Sequence, residues 1–167
     1  KLGADVHVIM TQNATNFIHP ITFETLTNHK CLVDTFDRNF QFHVAHVSLA
    51  KQADVFLVAP ASANVIGKMA NGIADDMLTT TLLAAKCPIL VAPAMNTNMY
   101  TNPIVQDNLK KLKNYGMTVI DPAVGYLACG DTGAGKMPSE ETLTAYILQA
   151  VAKEKDLSGK RILVTAG

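Results

Sequence analysis

Residues 88–100 read PILVAPAMNTNMY, a short apolar segment that stops at a proline and continues as polar and sulfur-containing side chains. The continuous apolar run at 89–92 is typical of a parallel strand that is covered on both faces. Pro93 ends this strand, and Ala94 and Asn96 follow it. Because ligands bind beyond the carboxyl ends of the strands in open α/β sheets, we expect Asn96 to lie in a binding site.

Strands and helices alternate along the rest of the chain, which predicts an α/β fold with a doubly wound parallel sheet. Apolar runs predict strands at 5–10, 31–35, 54–59, 88–92, 117–120 and 161–167. Helical spacing and cap signals predict helices at 20–28, 46–53, 62–69, 75–85, 103–116 and 139–153. Residues 121–139 contain four glycines and two prolines without periodicity, so we predict a long loop, and such loops are often functional.

The composition indicates one globular domain in a reducing compartment. The chain has 167 residues, 49% of them hydrophobic, which is enough for a full core. Its 14 basic and 14 acidic residues cancel, which argues against nucleic acid as a partner. The chain also lacks an apolar run of roughly 20 residues or a signal peptide, so we expect no membrane association and a cytoplasmic location. Cys31, Cys87 and Cys129 form no Cys-x-x-Cys pair, which predicts reduced thiols.

Three side chains, those of His46, Asn96 and Cys129, are candidates for catalysis or substrate binding. His46 starts a predicted helix, where a histidine is more often bonded to backbone than catalytic. No carboxylate or cysteine completes a metal site with His43 and His46, so no metal is expected. Asn96 can cap a helix or turn, or it can donate its amide to a carboxylate. Cys129 lies in the predicted glycine-rich loop, whereas Cys87 adjoins a strand and is expected to pack in the core.

Short polar side chains follow two other predicted strands. Ser62 separates the strand at 54–59 from the next helix, where it is an N-cap candidate and where backbone N–H groups can approach a bound cofactor. The hydroxyl-rich residues 11–15 form a loop that can hold a phosphate. Asp75 and Asp76 begin another helix, where the helix dipole favours acidic residues.

Four motifs, in this order, resemble the flavin-dependent cysteine decarboxylase family and span nearly the whole chain. They are AHVSLA at 45–50, APASAN at 59–64 with GKMANGIADD at 67–76, PAMNTNMY at 93–100, and ACGD at 128–131 with GAGKM at 133–137. The resemblance implies a Rossmann-like flavoprotein fold, FMN as the cofactor, and a homo-oligomer built as a trimer or a dodecamer.

The resemblance also predicts the domain organisation. Residues 1–155 correspond to the decarboxylase domain, and 156–167 to a linker and the possible start of a second domain. Within the latter, LSGKRILVTAG at 157–167 resembles the opening of the phosphopantothenate–cysteine ligase domain that bacteria often fuse to such decarboxylases. The family pattern begins with a strand and a glycine-rich turn, which we expect to precede Lys1 in the natural protein.

The activity implied by the resemblance is decarboxylation of 4′-phospho-N-pantothenoyl-L-cysteine to 4′-phosphopantetheine in coenzyme A biosynthesis. In the implied reaction FMN takes two electrons from the substrate thiol to give a thioaldehyde, carbon dioxide leaves, and the enethiol that remains is reduced with the same two electrons. His46 is then the base and Cys129 the proton donor of the reduction, while Asn96 holds the substrate carboxylate. The other expected substrate contacts are Met99, Ala128 and Lys136. The expected cofactor contacts are Thr11, Phe17, Ser62, Ala63, Asn64, Val65 and Ala94.

Other functions remain open beside this one. A relative that oxidatively decarboxylates the C-terminal cysteine of a peptide stops before the reduction, and Cys129 argues against it. A catalytically silent flavoprotein that regulates a phosphatase is disfavoured because His46, Asn96 and Cys129 are all present. A Rossmann module that only binds a ligand is the remaining alternative.

Overall fold

The computed structural model describes residues 2–35, 45–126, 130, 132–152, 159–161 and 163. Its central sheet has three parallel strands in the order β1-β2-β3. They are β1 (Phe56–Ala61), β2 (Ile89–Pro93) and β3 (Thr118–Val119). In register, Leu57 pairs with Leu90, and Leu90 with Thr118. The parallel sheet predicted from the alternation of strands and helices is confirmed.

Seven helices of the described residues accompany the sheet. They are α1 (Pro20–Thr27), α2 (Ala45–Gln52), α3 (Ala63–Ala70), α4 (Met77–Ala84), α5 (Thr97–Thr101), α6 (Pro103–Asn114) and α7 (Glu140–Val151). The pair α3 and α4 connects β1 to β2, and the pair α5 and α6 connects β2 to β3. In the described part of the chain, no helix has the length and apolar character needed to cross a bilayer.

Alternate residues of β2 enter two separate hydrophobic clusters. Ile89 and Val91 pack with buried side chains of α3, α4 and α6. Leu90 and Ala92 pack with Ile120 and with α7. Because successive side chains of a strand point to opposite faces, the two clusters lie on opposite faces of the sheet. The doubly wound arrangement is therefore confirmed, and burying each of these larger side chains contributes about 1.5–3 kcal/mol.

The cap signals in the sequence place three helix starts correctly. The Ser62 hydroxyl accepts a hydrogen bond from the Val65 N–H at the start of α3. Ser139 caps α7 by accepting from the N–H of Thr142. Asn102 caps α6, and proline occupies the first helical position after it. These side chains satisfy N–H groups that have no partner inside their helices.

The prediction of a long loop at 121–139 is wrong. This part of the chain contains β4 (Ala123–Tyr126) and β5 (Thr132–Lys136), which pair antiparallel. The sequence of β5, TGAGK, does not predict a strand, because glycines stand where the alternating apolar side chains of a strand are expected. The structure explains the glycines by close contacts that are described with the candidate site.

The first two predicted strands form a single parallel bridge between Ile9 and Leu32. The Met10 N–H donates to the Leu32 carbonyl at 2.9 Å, and the Leu32 N–H donates to the Val8 carbonyl at 3.0 Å. The segments therefore run side by side without a full ladder between them in the described residues. Most of the strand predicted at 161–167, and the predicted domain boundary at 155–156, lie outside the described residues.

Asp76 explains why the chain turns into α4, and it yields a stability prediction. Its carboxylate accepts from the N–H and the hydroxyl of Thr79, each at 2.8 Å, and from Lys68 Nζ at 3.1 Å. Burial acts to raise the pKa of Asp76, but the hydrogen bonds from Thr79 and Lys68 outweigh it and hold the pKa below its ordinary value. Since the folded-state pKa is depressed, the stabilisation is present above the unfolded pKa and is lost as the pH falls through the folded one.

We therefore expect Asp76→Ala to lower the free energy of unfolding by about 1 kcal/mol at neutral pH. Urea denaturation measures the change, and the gap between parent and variant should close as the pH falls below 3.8, the ordinary pKa. Asp75→Ala is the control, because it removes only an exposed partner of Lys68 and should cost less. Equal losses in the two variants would show that the cap is not the cause.

Candidate functional site

The carboxyl ends of β1 and β2 lie side by side, and the helices that follow them start there. The Ala94 N–H donates to the Ala61 carbonyl at 3.1 Å, which ties the segment after β2 to the end of β1. Ser62 opens α3 beside this bond, and Asn96 opens α5. Small and polar side chains thus meet at the edge of the sheet where ligands bind in this class of fold.

Asn96 acts as the N-cap of α5, a helix that the sequence analysis did not predict. Its Oδ1 atom accepts from the Asn98 N–H at 2.8 Å, and its carbonyl accepts from the Tyr100 N–H at 2.9 Å. The cap that was one of the two alternatives for this residue is therefore present. It does not exclude the other alternative, because the donor nitrogen of the amide is a separate group from the capping oxygen.

β5 lies against the segment that carries Asn96. The Met95 N–H donates to the Gly135 carbonyl at 2.9 Å. Gly135 has a φ of +137°, and a Cβ built on it would overlap the Met95 carbonyl oxygen. A Cβ on Gly133 would come within 3.0 Å of Thr97 Cγ2 and still closer to the hydroxyl. The strand can approach this closely only because both positions are glycine.

Thr97 Oγ1 is buried and has no hydrogen-bond partner among the described residues. Leaving a buried hydroxyl without a partner costs about 1–3 kcal/mol. The atom lies next to Gly133 in space and next to Asn96 in sequence. Threonine in this position gives no signal in the sequence, so Thr97 was not among the predicted candidates.

The expected cofactor contacts at the start of α3 differ in exposure. Ser62 and Asn64 are exposed, whereas Ala63 is half-buried. Val65 is buried in the core cluster, and its N–H is already bonded to Ser62. Ala94, after β2, is half-buried. The accessible groups here are thus the Ser62 hydroxyl, the Asn64 amide and the backbone of the first helical turn.

Three predicted site residues lie on other elements. Thr11 caps a short 3₁₀ helix (Gln12–Asn16), its hydroxyl accepting from Ala14 N–H at 3.2 Å. Phe17 follows that helix and is 90% exposed. His46 is half-buried at the start of α2, which packs against α4. Across the described ranges, no hydrogen bond links any of these side chains to Asn96.

The remaining candidates belong to α5 and to the hairpin of β4 and β5. Met99 is 48% exposed on α5, and Lys136 is exposed at the end of β5. Ala128 and Cys129 belong to the connection between β4 and β5 and lie outside the described residues, as does His43. Tyr126 pairs with Thr132 across the hairpin, so the chain that carries Cys129 leaves and re-enters it at this pair.

Two hydroxyl groups close to Asn96 along the chain, those of Thr97 and Tyr100, are uncharged at neutral pH. Burial and the negative charge of Asp121 raise the pKa of Tyr100, so its phenol stays protonated. Thr97 and Ser62 contribute hydroxyls that do not titrate in this range. Neutral donors can hold an anionic group in place without the full charge compensation that a lysine or arginine would give.

Comparisons with known proteins agree with the fold. The family described as Flavoprotein matches residues 1–152. The coenzyme A biosynthesis bifunctional protein CoaBC of Bacillus subtilis (strain 168) is 47% identical over 169 aligned residues. That alignment covers 100% of this chain and 42% of the relative. The chain therefore spans about two fifths of the length of this curated relative.

Two solved structures extend the similarity to three dimensions. A cysteine-to-serine mutant of PPC decarboxylase, complexed with pantothenoylaminoethenethiol, is 30% identical and superposes with a TM-score of 0.76. The match covers 87% of this chain and 82% of that one. The FMN-dependent cysteine decarboxylase SpaF is 35% identical with a TM-score of 0.73, covering 87% of this chain and 79% of the other.

Proposed function

The chain belongs to the flavoprotein family, and on that premise we propose that it is the FMN-dependent decarboxylase part of a coenzyme A biosynthesis enzyme. The proposed reaction converts 4′-phospho-N-pantothenoyl-L-cysteine to 4′-phosphopantetheine and carbon dioxide. The similarity to a CoaBC protein, to PPC decarboxylase and to an FMN-dependent cysteine decarboxylase supports the pathway, the substrate and the cofactor in turn.

The strongest structural support for the proposal is a hydrogen bond between β5 and the segment that carries Asn96. The hydrogen bond from the Met95 N–H to the Gly135 carbonyl brings β5 against the residue that precedes Asn96. The hairpin whose connection contains Cys129 is thereby anchored beside the expected carboxylate-binding residue. Such an arrangement supports a reaction in which the carboxylate site and the proton donor act on one substrate.

The residues at the sheet edge fit a flavin. The N–H groups of Ala63 and Asn64 lie in the first turn of α3, where no acceptor is available within the helix. The Ser62 hydroxyl can still donate a hydrogen bond. The buried Thr97 hydroxyl has no hydrogen-bond partner among the described residues, so it too can bind a cofactor atom. When bound, FMN supplies the reversible two-electron oxidation that makes loss of the carboxylate easy.

Each proposed catalytic residue has one task. Asn96 donates its amide to the substrate carboxylate and so orients the bond that breaks. His46 accepts a proton from the substrate, a role for which imidazole is the most common side chain. Cys129 donates a proton as the enethiol is reduced. Lys136, exposed at the end of β5, can contact the substrate or its phosphate. Thr11 and Phe17 are proposed to contact the phosphate end and the ring of the cofactor.

Cys129→Ser is expected to change the product rather than to stop decarboxylation. A serine hydroxyl is a far weaker acid than a thiol, so the reduction step should fail. In air, where dissolved oxygen takes up the two electrons left on the cofactor, the enethiol should accumulate while carbon dioxide is still released. Mass spectrometry of the product distinguishes the two compounds, because the enethiol is lighter by two hydrogen atoms. Cys87→Ser, which alters a half-buried thiol before β2, should still form phosphopantetheine. If Cys129→Ser also forms phosphopantetheine at the parent rate, Cys129 is not the proton donor.

The proposed substrate is tested by comparing two cysteine carboxylates. The whole protein, with its natural N-terminus and FMN, is assayed for carbon dioxide release from phosphopantothenoylcysteine and from a peptide that ends in cysteine. We expect kcat/KM to favour phosphopantothenoylcysteine. Preference for the peptide would indicate a peptide-modifying enzyme, and inactivity on both would indicate a regulatory or binding role.

We also propose that the chain acts within a longer, bifunctional and oligomeric protein. The similarity of residues 157–167 to the start of a ligase domain supports the second activity, and the family match that ends at residue 152 is compatible with a boundary near 155. The large apolar side chains Phe17 and Leu26, 90% and 79% exposed, support contacts between copies. A ligase assay and the native mass of the whole protein test these two points.

A further inference from the structure

Asp5, His7 and His29 converge at a place that the proposed reaction does not use. Nε2 of His29 lies 2.6 Å from Oδ1 of Asp5, and Nε2 of His7 lies 3.5 Å from Oδ2. The two imidazole rings are stacked, with centroids 4.0 Å apart and planes 20° apart. One donor atom from each of the three residues lies within 4.8 Å of the other two.

The backbone holds these three residues together. Asp5 and His7 are two positions apart, shortly before the bridge at Ile9, and both side chains contact His29. The bridge between Ile9 and Leu32 aligns this segment with the chain that follows α1. His29 comes directly after the left-handed Asn28 that ends α1, and its N–H donates to the Thr27 hydroxyl at 3.3 Å. The cluster is therefore built by secondary structure and local capping.

We propose that Asp5, His7 and His29 bind a divalent transition-metal ion, with Zn²⁺ as the representative ion. Two imidazole nitrogens and one carboxylate oxygen are ligands that Zn²⁺ accepts readily. Ligand atoms of a tetrahedral zinc site lie about 3.3 Å apart, given bonds of about 2.0–2.1 Å. The separations of 2.6 and 3.5 Å, each to a different oxygen of Asp5, bracket that spacing. Because the rings are stacked, at least one of them must rotate out of the stack for both Nε2 atoms to point at one ion.

The surroundings of the cluster are compatible with an ion that enters from solvent. The side chains of His7, His29 and Asp5 are 37%, 36% and 75% exposed. Imidazoles bind metals in their neutral form. Water completes the coordination in such a three-ligand site.

The inference does not depend on the proposed decarboxylase function. None of the three residues is a proposed substrate or cofactor contact. A bound ion would join the extended N-terminal segment to the end of α1 and so stabilise the native state by mass action. The sequence alone could not reveal the site, because α1 separates His29 from Asp5 and His7 along the chain.

The test uses the whole protein after treatment with a chelator, with ZnCl₂ as the titrant in isothermal calorimetry. We expect the parent to bind zinc. The zinc affinity should fall by more than about tenfold in His7→Ala, His29→Ala and Asp5→Asn, because losing a residue that only supports a metal ligand already has an effect of that size. His19→Ala is the matched control: it removes an exposed histidine at the start of α1 whose side chain makes no cap bond, and zinc binding should be unchanged.

Thermal unfolding separates metal binding from folding. Without metal, Asp5→Asn should show the circular dichroism of the parent, because it changes only an exposed carboxylate. Zn²⁺ should raise the Tm of the parent and of His19→Ala, and it should not raise that of Asp5→Asn or His29→Ala. The proposal is wrong if the parent binds no zinc, or if the variant that lacks both His7 and His29 binds zinc as tightly as the parent does.

Discussion

Asn96→Asp is expected to lower kcat/KM for phosphopantothenoylcysteine by about a hundredfold or more. The substitution removes both N–H donors of the amide and places a negative charge where the substrate carboxylate is proposed to bind. A hydrogen bond to a charged group contributes about 1.5–3 kcal/mol, and charge repulsion adds to that loss. The cap of α5 is retained, because a carboxylate oxygen accepts from the Asn98 N–H as well as an amide oxygen does.

The matched control for this variant is Asn102→Asp. Asn102 caps α6 in the same manner, its Oδ1 accepting from the Ile104 N–H at 2.9 Å. Both variants should unfold at the parent's urea midpoint, and only Asn96→Asp should lose activity. If the two variants have the same kcat/KM, Asn96 is a cap and nothing more, and the proposed carboxylate site must lie elsewhere.

Gly135→Ala is expected to destabilise the docking of β5 by about 2 kcal/mol or more and to reduce activity with it. The backbone at +137° disfavours any side chain, and the new Cβ would overlap the Met95 carbonyl oxygen. Relief requires β5 to move away from the segment that leads to Asn96. The connection that contains Cys129 would move with it, so kcat should fall even where the protein stays folded.

Gly125→Ala, in the partner strand β4, is the control for Gly135→Ala. A Cβ there would meet only the flexible Lys136 side chain, at an ordinary contact distance of 3.5 Å. Urea denaturation and kcat should both stay close to the parent values in Gly125→Ala. Equal behaviour of the two variants would contradict the view that β5 must lie close to Met95 for the site to form.

Much of the fold follows from short-range patterns in the sequence. The apolar run at 89–92 predicts a strand buried on both faces, and β2 is that strand. Ser62 and Ser139 predict helix starts because a hydroxyl before an apolar stretch satisfies free N–H groups. β5 could not be predicted in this way, since the property that forms it, room for the close approach to Met95 and Thr97, is expressed in the sequence only as glycine.

The candidate site was predictable where its residues follow a strand end. Asn96, Ser62 and Ala94 lie where the topology places the carboxyl edge of the sheet. The Thr97 hydroxyl was not predictable, because its burial depends on a strand far along the chain. The catalytic roles of His46 and Cys129 come from the resemblance to the family and stay predictions.

The most direct test of the account is to identify the product that the FMN-containing whole protein forms from phosphopantothenoylcysteine. Visible absorbance first establishes that FMN is bound, and mass spectrometry then identifies the product while released carbon dioxide is counted. We predict 4′-phosphopantetheine and one carbon dioxide for each substrate consumed. Release of no carbon dioxide by protein that holds FMN would contradict the decarboxylase assignment.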